Sequence, residues 1–322
     1  VFLFNEDEIR GCVCLNHSAI EQVEEGFTQL SQGQVVLPPM MRIDIPEHHG
    51  EVDVKTAYMK GLDTFAIKVS SGFFDNKALG LPSLSGMMIL LHSVTGVPEA
   101  VLMDNGYLTD IRTACAGAIA AKYLAKAHVE IAGVIGTGVQ ARLQMEALHM
   151  MRPFKRLLVY GRRAEAVDAY IGEMSAKLGI ACEAAPAEEV VRQSDVVVTT
   201  TPSREPIVQR EWLHEGLHLT AMGADTELKQ ELDAEVFRKA DRIVCDVKAQ
   251  CLKYGELHHA SDHGVLQNED ARMVELGALT AKAVPGREND QQITLCDLTG
   301  TGVQDTAIAR YAFERLVKMK TV

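Results

Sequence analysis

The chain has 322 residues, 47% apolar and 24% charged, with a formal net charge of −12. That length exceeds a single hydrophobic core and predicts two domains of ordinary globular composition. The negative balance argues against a broad face for nucleic acid or an anionic membrane, and no window is apolar enough for a transmembrane span. Of the seven cysteines, only Cys12 and Cys14 lie close together. They read as thiols of a reducing compartment, and the opening run is too short for a signal sequence, so the expected location is cytoplasmic.

In chain order, apolar residues at helical spacing predict a helix over 19–32. Phe65–Val69 and Met87–Leu91 read as strands, with turns at 80–82 and 95–98. The Ala-rich stretch 110–127 is helical in character. From Glu130 onward, strands at 131–135, 156–160, 181–185 and 195–201 alternate with helices at 141–151, 164–178 and 187–193. Later runs at 217–222 and 242–246 also read as buried strands. This alternation predicts an α/β fold with a Rossmann-type, doubly wound parallel sheet. A C-terminal helix, 304–318, is expected to pack back on the first domain, making that domain discontinuous.

Gly136-Thr137-Gly138-Val139-Gln140-Ala141 fits G-x-G-x-x-A straight after a strand and at the opening of a helix. The first glycine permits a tight turn, the second lets backbone approach a diphosphate, and the alanine allows close packing of helix on strand. Free N–H groups at the helix start favour the phosphates. The alternative is a tight turn with no ligand. At the end of the next strand stand Arg162 and Arg163, with no carboxylate to bind a ribose 2′-hydroxyl. Guanidiniums suit a 2′-phosphate, which predicts NADP(H) over NAD(H). Against this, both arginines can be solvated residues at a helix start. Thr200, near the end of the strand 195–201, is a further candidate cofactor contact.

Lys68 falls in the apolar run Phe65–Val69, where a cation needs either a buried partner or an edge strand from which to reach water. Arg112 lies beside an Ala-rich stretch, so it pairs either with a bound carboxylate or with Asp104 or Asp110. Arg42 can serve a ligand or the surface. Asp225 follows a predicted strand at the edge where open α/β sheets bind ligands; otherwise it is a helix N-cap. The acidic clusters at 21–25 and 227–231 read as solvated helix faces. His258, His259 and His263 read as a polar helix, so no metal is expected.

Four segments, 106–121 (GYLTDIRTACAGAIAA), 136–141 (GTGVQA), 223–233 (GADTELKQELD) and 297–305 (DLTGTGVQD), together resemble the ornithine cyclodeaminase/μ-crystallin family and keep its order. The stretch 50–76 is most similar to the ectoine-utilisation branch of that family. The resemblance implies a homodimer, with a discontinuous α/β domain (1–118 and 304–322) for substrate binding and dimerisation. It also implies a dinucleotide domain over 119–303. Arg42, Lys68, Ser83 and Arg112 match substrate-binding positions, and Lys68 and Asp225 are the catalytic candidates. Thr299, Gly300 and Val303 fall near the nicotinamide.

Members of the family include cyclodeaminases, alanine dehydrogenases, imine reductases and the binding protein μ-crystallin. The expectation is therefore an NAD(P)-dependent oxidoreductase of a small amino acid or its imine. A cyclodeaminase that recycles its cofactor and an NADPH-dependent binding protein are the alternatives. The ectoine-branch likeness implies a diaminobutyrate-related or hydroxylated amino acid. Two departures stand against a strict ornithine cyclodeaminase: Asp53 replaces the family's glutamate, and Lys55 stands where an apolar residue is usual.

Overall fold

The structure, a computed structural model, describes residues 1–321, so Val322 of the expected first domain lies outside them. The chain divides into two compact units: Val1–Thr113 with the segment from Thr301 onward, and Ala114–Gly300.

The first unit is built on seven strands: β1 (Phe2–Asn5), β2 (Val35–Val36), β3 (Met41–Ile45), β4 (Gly50–Met59), β5 (Thr64–Phe73), β6 (Leu84–His92) and β7 (Pro98–Met103). Their order is β1-β7-β6-β5-β4-β2, with β3 also on β4. Side chains alternate across a pleated sheet, and the register puts Ala57, Ala66, Leu90 and Ala100 in one phase with Met88 and Leu102. All six are fully buried or nearly so. This face is covered by the helix α2 (His17–Ser31), which follows α1 (Glu6–Arg10), and by the C-terminal helix Gly302–Thr321. Asn16 caps α2, accepting the Ala19 amide at 2.9 Å. Gly26 of α2 faces the C-terminal helix, where an added Cβ would make ordinary contact with Val303 and Ala307. The opposite face carries Tyr58, Phe65, Ile67, Val69, Met87, Ile89, Leu91 and Val101, all partly exposed.

The division between the units falls within α3 (Tyr107–Leu124). The second unit has eight strands: β8 (Ile131–Ile135), β9 (Arg156–Tyr160), β10 (Ala181–Ala184), β11 (Val196–Thr199), β12 (His218–Ala221), β13 (Arg242–Cys245), β14 (Met273–Glu275) and β15 (Thr294–Asp297). They form a sheet in the order β10-β9-β8-β11-β12-β15-β13-β14, and every pairing is parallel. Its helices are α4 (Val139–Met151), α5 (Ala164–Leu178), α6 (Ala187–Gln193), α7 (Val236–Lys239), α8 (Lys248–Tyr254), α9 (Glu256–Asp262) and α10 (Leu276–Thr280). Strand order reverses between β8 and β11, the switch point at which such sheets bind ligands. Apolar clusters fill both sides of the sheet, as continuous Val/Ile/Leu strands require.

The expected α/β architecture is present, with corrections in both units. The sequence predicts only β5 and β6 among the first unit's strands and does not predict β14 or β15 of the second, although β15 lies between β12 and β13 at the middle of that half of the sheet. A strand of three or four residues carries too little periodicity to be read. The acidic run 227–231 is not a helix, and Glu231 is fully buried. Among the described residues, no helix is long and apolar enough to cross a membrane.

Candidate active site

Lys68 lies on β5 in phase with Ala66, so its side chain enters the covered face of the first sheet. It is 2% exposed on an interior strand, which removes the edge-strand alternative. The register sets Lys55 of β4 opposite it, and Lys55 is buried too. Asp305, in the first turn of the C-terminal helix and fully buried, lies 3.1 Å from Lys68 Nζ and 3.1 Å from Arg112 Nε. Arg112 Nη1 also donates to Gln304 Oε1 at 2.8 Å. Asp305 is thus a partner of Arg112 that the sequence reading, with its choice of Asp104 or Asp110, did not foresee. Asp104 Oδ2 instead accepts the Leu108 amide at 2.8 Å, at the start of α3.

Burial pulls Lys68 down to about 7, although Asp305 favours its charged form. Burial pushes Asp305 upward, but Lys68, Arg112 and Lys55 outweigh it and hold that carboxyl below its usual range. Burial raises Asp104 to about 6, towards its neutral form. Arg112, Lys55 and a Lys68 close to its midpoint at neutral pH therefore gather on the firmly ionised Asp305, a cluster that suits an incoming carboxylate. Gln304 Nε2 adds a buried donor with no hydrogen-bond partner among the described residues.

Arg42, on β3, is surrounded by three carboxylates: Asp44 at 2.9 Å, Glu51, and Asp53 at 3.5 Å. A ligand anion there would compete with all three. Ser83 precedes β6, and its Oγ is buried with no hydrogen-bond partner among the described residues.

In the second unit, Gly136 follows β8 with φ +122°, and an added Cβ would collide with Thr200. Its amide donates to Tyr160 O at 2.8 Å, and the Thr200 amide donates to Ile135 O at 2.9 Å. Thr137, Val139 and Gln140 flank Gly138, the N-cap of α4, which supplies no side-chain cap, and the first turn of that helix holds no acid. An added Cβ at Gly138 would meet no protein atom within 4 Å, so internal packing does not require glycine there. A bare backbone at an uncapped helix start fits a dinucleotide diphosphate. Arg142 braces the turn, donating to Thr137 O at 2.6 Å and to Gly138 O at 3.2 Å. Ala141 packs under α5, its carbonyl accepting the Tyr170 hydroxyl at 2.9 Å.

Arg162 and Arg163 are exposed just past β9, and neither guanidinium has an ion-pair or hydrogen-bond partner among the described residues. Asp225 follows β12 but caps no helix, because a turn follows it; its carboxylate, 49% exposed, pairs with Lys229 at 2.6 Å. Thr299 and Gly300 follow β15, and Gly300 has φ +79°. Two residues that the sequence reading missed hold them. Asp246 Oδ2 accepts the Gly300 amide at 2.6 Å and Oδ1 accepts the Thr299 hydroxyl at 3.1 Å. Gln250 Nε2 donates to Thr299 Oγ1 and Gly300 O, both at 2.8 Å. The available signal was a carboxylate just past a strand, where loops need anchoring. Val303 lies in the first unit, buried near Gly26. His259 Nε2 and His263 Nδ1 contact backbone carbonyls of Lys229 and His259.

Residues 4–320 match the ornithine cyclodeaminase/mu-crystallin family. A dehydrogenase-like protein of Rhizobium meliloti (strain 1021) is 48% identical over 315 residues, spanning 97% of this chain and 95% of its own. A solved Δ1-pyrroline-2-carboxylate reductase of Thermococcus litoralis, in complex with NADH and L-proline, has a TM-score of 0.93 and 31% identity, covering 99% of this chain and 98% of its own. An archaeal alanine dehydrogenase dimer with bound NAD has a TM-score of 0.93 and 35% identity, covering 100% and 97%. The helix-start turn, the buried cation cluster and this whole-length likeness converge: the chain belongs to the ornithine cyclodeaminase/mu-crystallin family.

Proposed function

We propose that the protein is an NAD(P)-dependent oxidoreductase that interconverts a small amino acid and its imine. The observation that carries this reading is the turn at 136–138, where glycine leaves bare backbone at an uncapped helix start. The amides of Thr137 to Gln140 take the diphosphate, and Thr200, Thr299 and Gly300 take the nicotinamide side. Lys68 and Arg112 hold the substrate carboxylate, with Ser83 and Gln304 as further polar contacts and Arg42 near its outer end. When bound, the nicotinamide supplies or accepts the hydride at the substrate's α-carbon. Lys68, brought to about 7 by burial, gives or takes the proton on the imine nitrogen. Asp225 steers water or an amine. The alanine dehydrogenase and pyrroline-carboxylate reductase relatives support the substrate class.

NADP(H) is the preferred dinucleotide in this reading, supported by the unpaired Arg162 and Arg163. A homodimer forms through the partly exposed apolar face of the first sheet; the archaeal relative is a dimer. A monomer mass in sedimentation equilibrium would remove that part.

The test follows the absorbance of the reduced nicotinamide. Oxidation is expected with cyclic imines or with 2-oxo acids plus ammonium, and reduction with the matching amino acids. Product from a diamine without net absorbance change would instead identify a cyclodeaminase. Dinucleotide binding with no turnover on any of these substrates would leave only a binding protein.

A further inference from the structure

Glu231 lies in the loop between β12 and α7, fully buried, and its two oxygens collect four donors from the ends of two neighbouring strands. Oε1 accepts the Thr201 amide at 2.5 Å and its hydroxyl at 2.7 Å, just beyond β11. Oε2 accepts the Thr199 hydroxyl at 2.7 Å and the Gly223 amide at 2.8 Å, the latter just beyond β12. The loops are pressed together at this point: a Cβ on Gly223 would collide with the Thr201 carbonyl and with the Glu231 carboxylate. Glu231 is itself fixed from behind, because Glu256 Oε1 accepts its amide at 2.7 Å and Glu256 Oε2 accepts the Leu232 amide at 3.2 Å.

Thr199 and Thr201 bracket Thr200, and Gly223 stands two residues before Asp225. We propose that Glu231 is a positioning residue that holds the loop bearing Asp225 against the loop bearing the cofactor contact Thr200. The inference rests on the function proposed above.

Only a carboxylate suits the place. Each oxygen receives one backbone N–H, and those donors cannot turn away, so the amide nitrogen of a glutamine would have to face one of them. Aspartate, one methylene shorter, cannot reach both loops. The four bonds belong to parallel-strand termini at the ligand edge of the sheet, where a shift of about 1 Å is enough to cost two orders of magnitude in rate.

The experiment compares the unaltered protein with Glu231→Gln and with the double variant Thr199→Val/Thr201→Val, which removes two hydroxyl donors but keeps both backbone amides. Dissociation constants for NAD(H) and NADP(H) are measured by titration calorimetry, and kcat and amino-acid KM at saturating cofactor. Folding is checked by circular dichroism. For Glu231→Gln the expected result is at least a ten-fold weaker dinucleotide complex and a ten-fold lower kcat, with the amino-acid KM within two-fold. A merely structural role would lower the active fraction but leave the constants of the folded protein alone. The double variant should show at least a three-fold change in the same two quantities, and it decides the matter if Glu231→Gln does not fold. Constants within two-fold of the unaltered protein in the folded variants would overturn the positioning role. Failure of the unaltered protein to bind either dinucleotide would instead overturn the function on which it rests.

Discussion

Asp305 Oδ1 lies 3.1 Å from both Lys68 Nζ and Arg112 Nε, so one buried carboxylate from the C-terminal helix orders two buried cations from β5 and α3. Asp305→Asn removes the charge and leaves both cations buried without it. The expected loss of stability is about 3–5 kcal/mol, read from urea denaturation. A loss under about 1 kcal/mol would show that water or another group takes over the pairing.

Lys68 also predicts the pH dependence. Its conjugate acid in the folded protein lies near 7, set first by burial. Imine reduction needs the proton on Lys68, so kcat/KM in that direction should fall above pH 7, whereas amino-acid oxidation should rise through the same value. A profile with the same limb in both directions would remove Lys68 as the proton carrier. Stability should move independently: the unfolded lysine keeps its proton to about pH 10.4, so the unfolded state binds more protons above 7. Lys68 therefore makes the folded state gain stability as pH rises from about 7 towards 10.

The two glycines of the turn should fail in different ways. Gly136→Ala meets a φ of +122° and a clash with Thr200, so it should cost about 1–3 kcal/mol and lower the melting temperature. Gly138→Ala meets no protein atom and should melt within about 2 °C of the unaltered protein. It should nevertheless bind the dinucleotide at least ten-fold more weakly by calorimetry. Unchanged binding would mean that the diphosphate is not held there.

Arg162→Ala/Arg163→Ala should leave stability almost unchanged, since both side chains are exposed and unpaired among the described residues. Its thermal shift with NADP(H) should shrink while that with NAD(H) stays. A larger shift with NAD(H) in the unaltered protein would reverse the preference.

Asp225→Asn tests the catalytic edge. Its surface pair with Lys229 contributes less than about 1 kcal/mol, so folding should survive. The expected kcat is about 100-fold lower. Full activity would assign the carboxylate to the surface.

The Rossmann half was legible because each βα unit carries its own signal. The run 131–135 and the glycines at 136 and 138 announce strand, turn and helix without help from distant residues. Lys68 stood out as a cation in an apolar run, and Arg112 as one beside alanines. Asp305, Asp246 and Glu231 did not, because each acts on partners far away in the chain. Glu231 even sits among acids that resemble a solvated surface.

Local order along the chain, namely which segments are strand or helix and where a backbone is left bare for phosphate, follows from side-chain size, periodicity and glycine, and these are written residue by residue. The pairing of charges does not: a lone lysine in an apolar strand has several candidate partners, and only the packing of the C-terminal helix over β5 selects Asp305. Burial then sets the titration of Lys68, because desolvation depends on what the folded chain places around the ammonium and not on its neighbours in sequence.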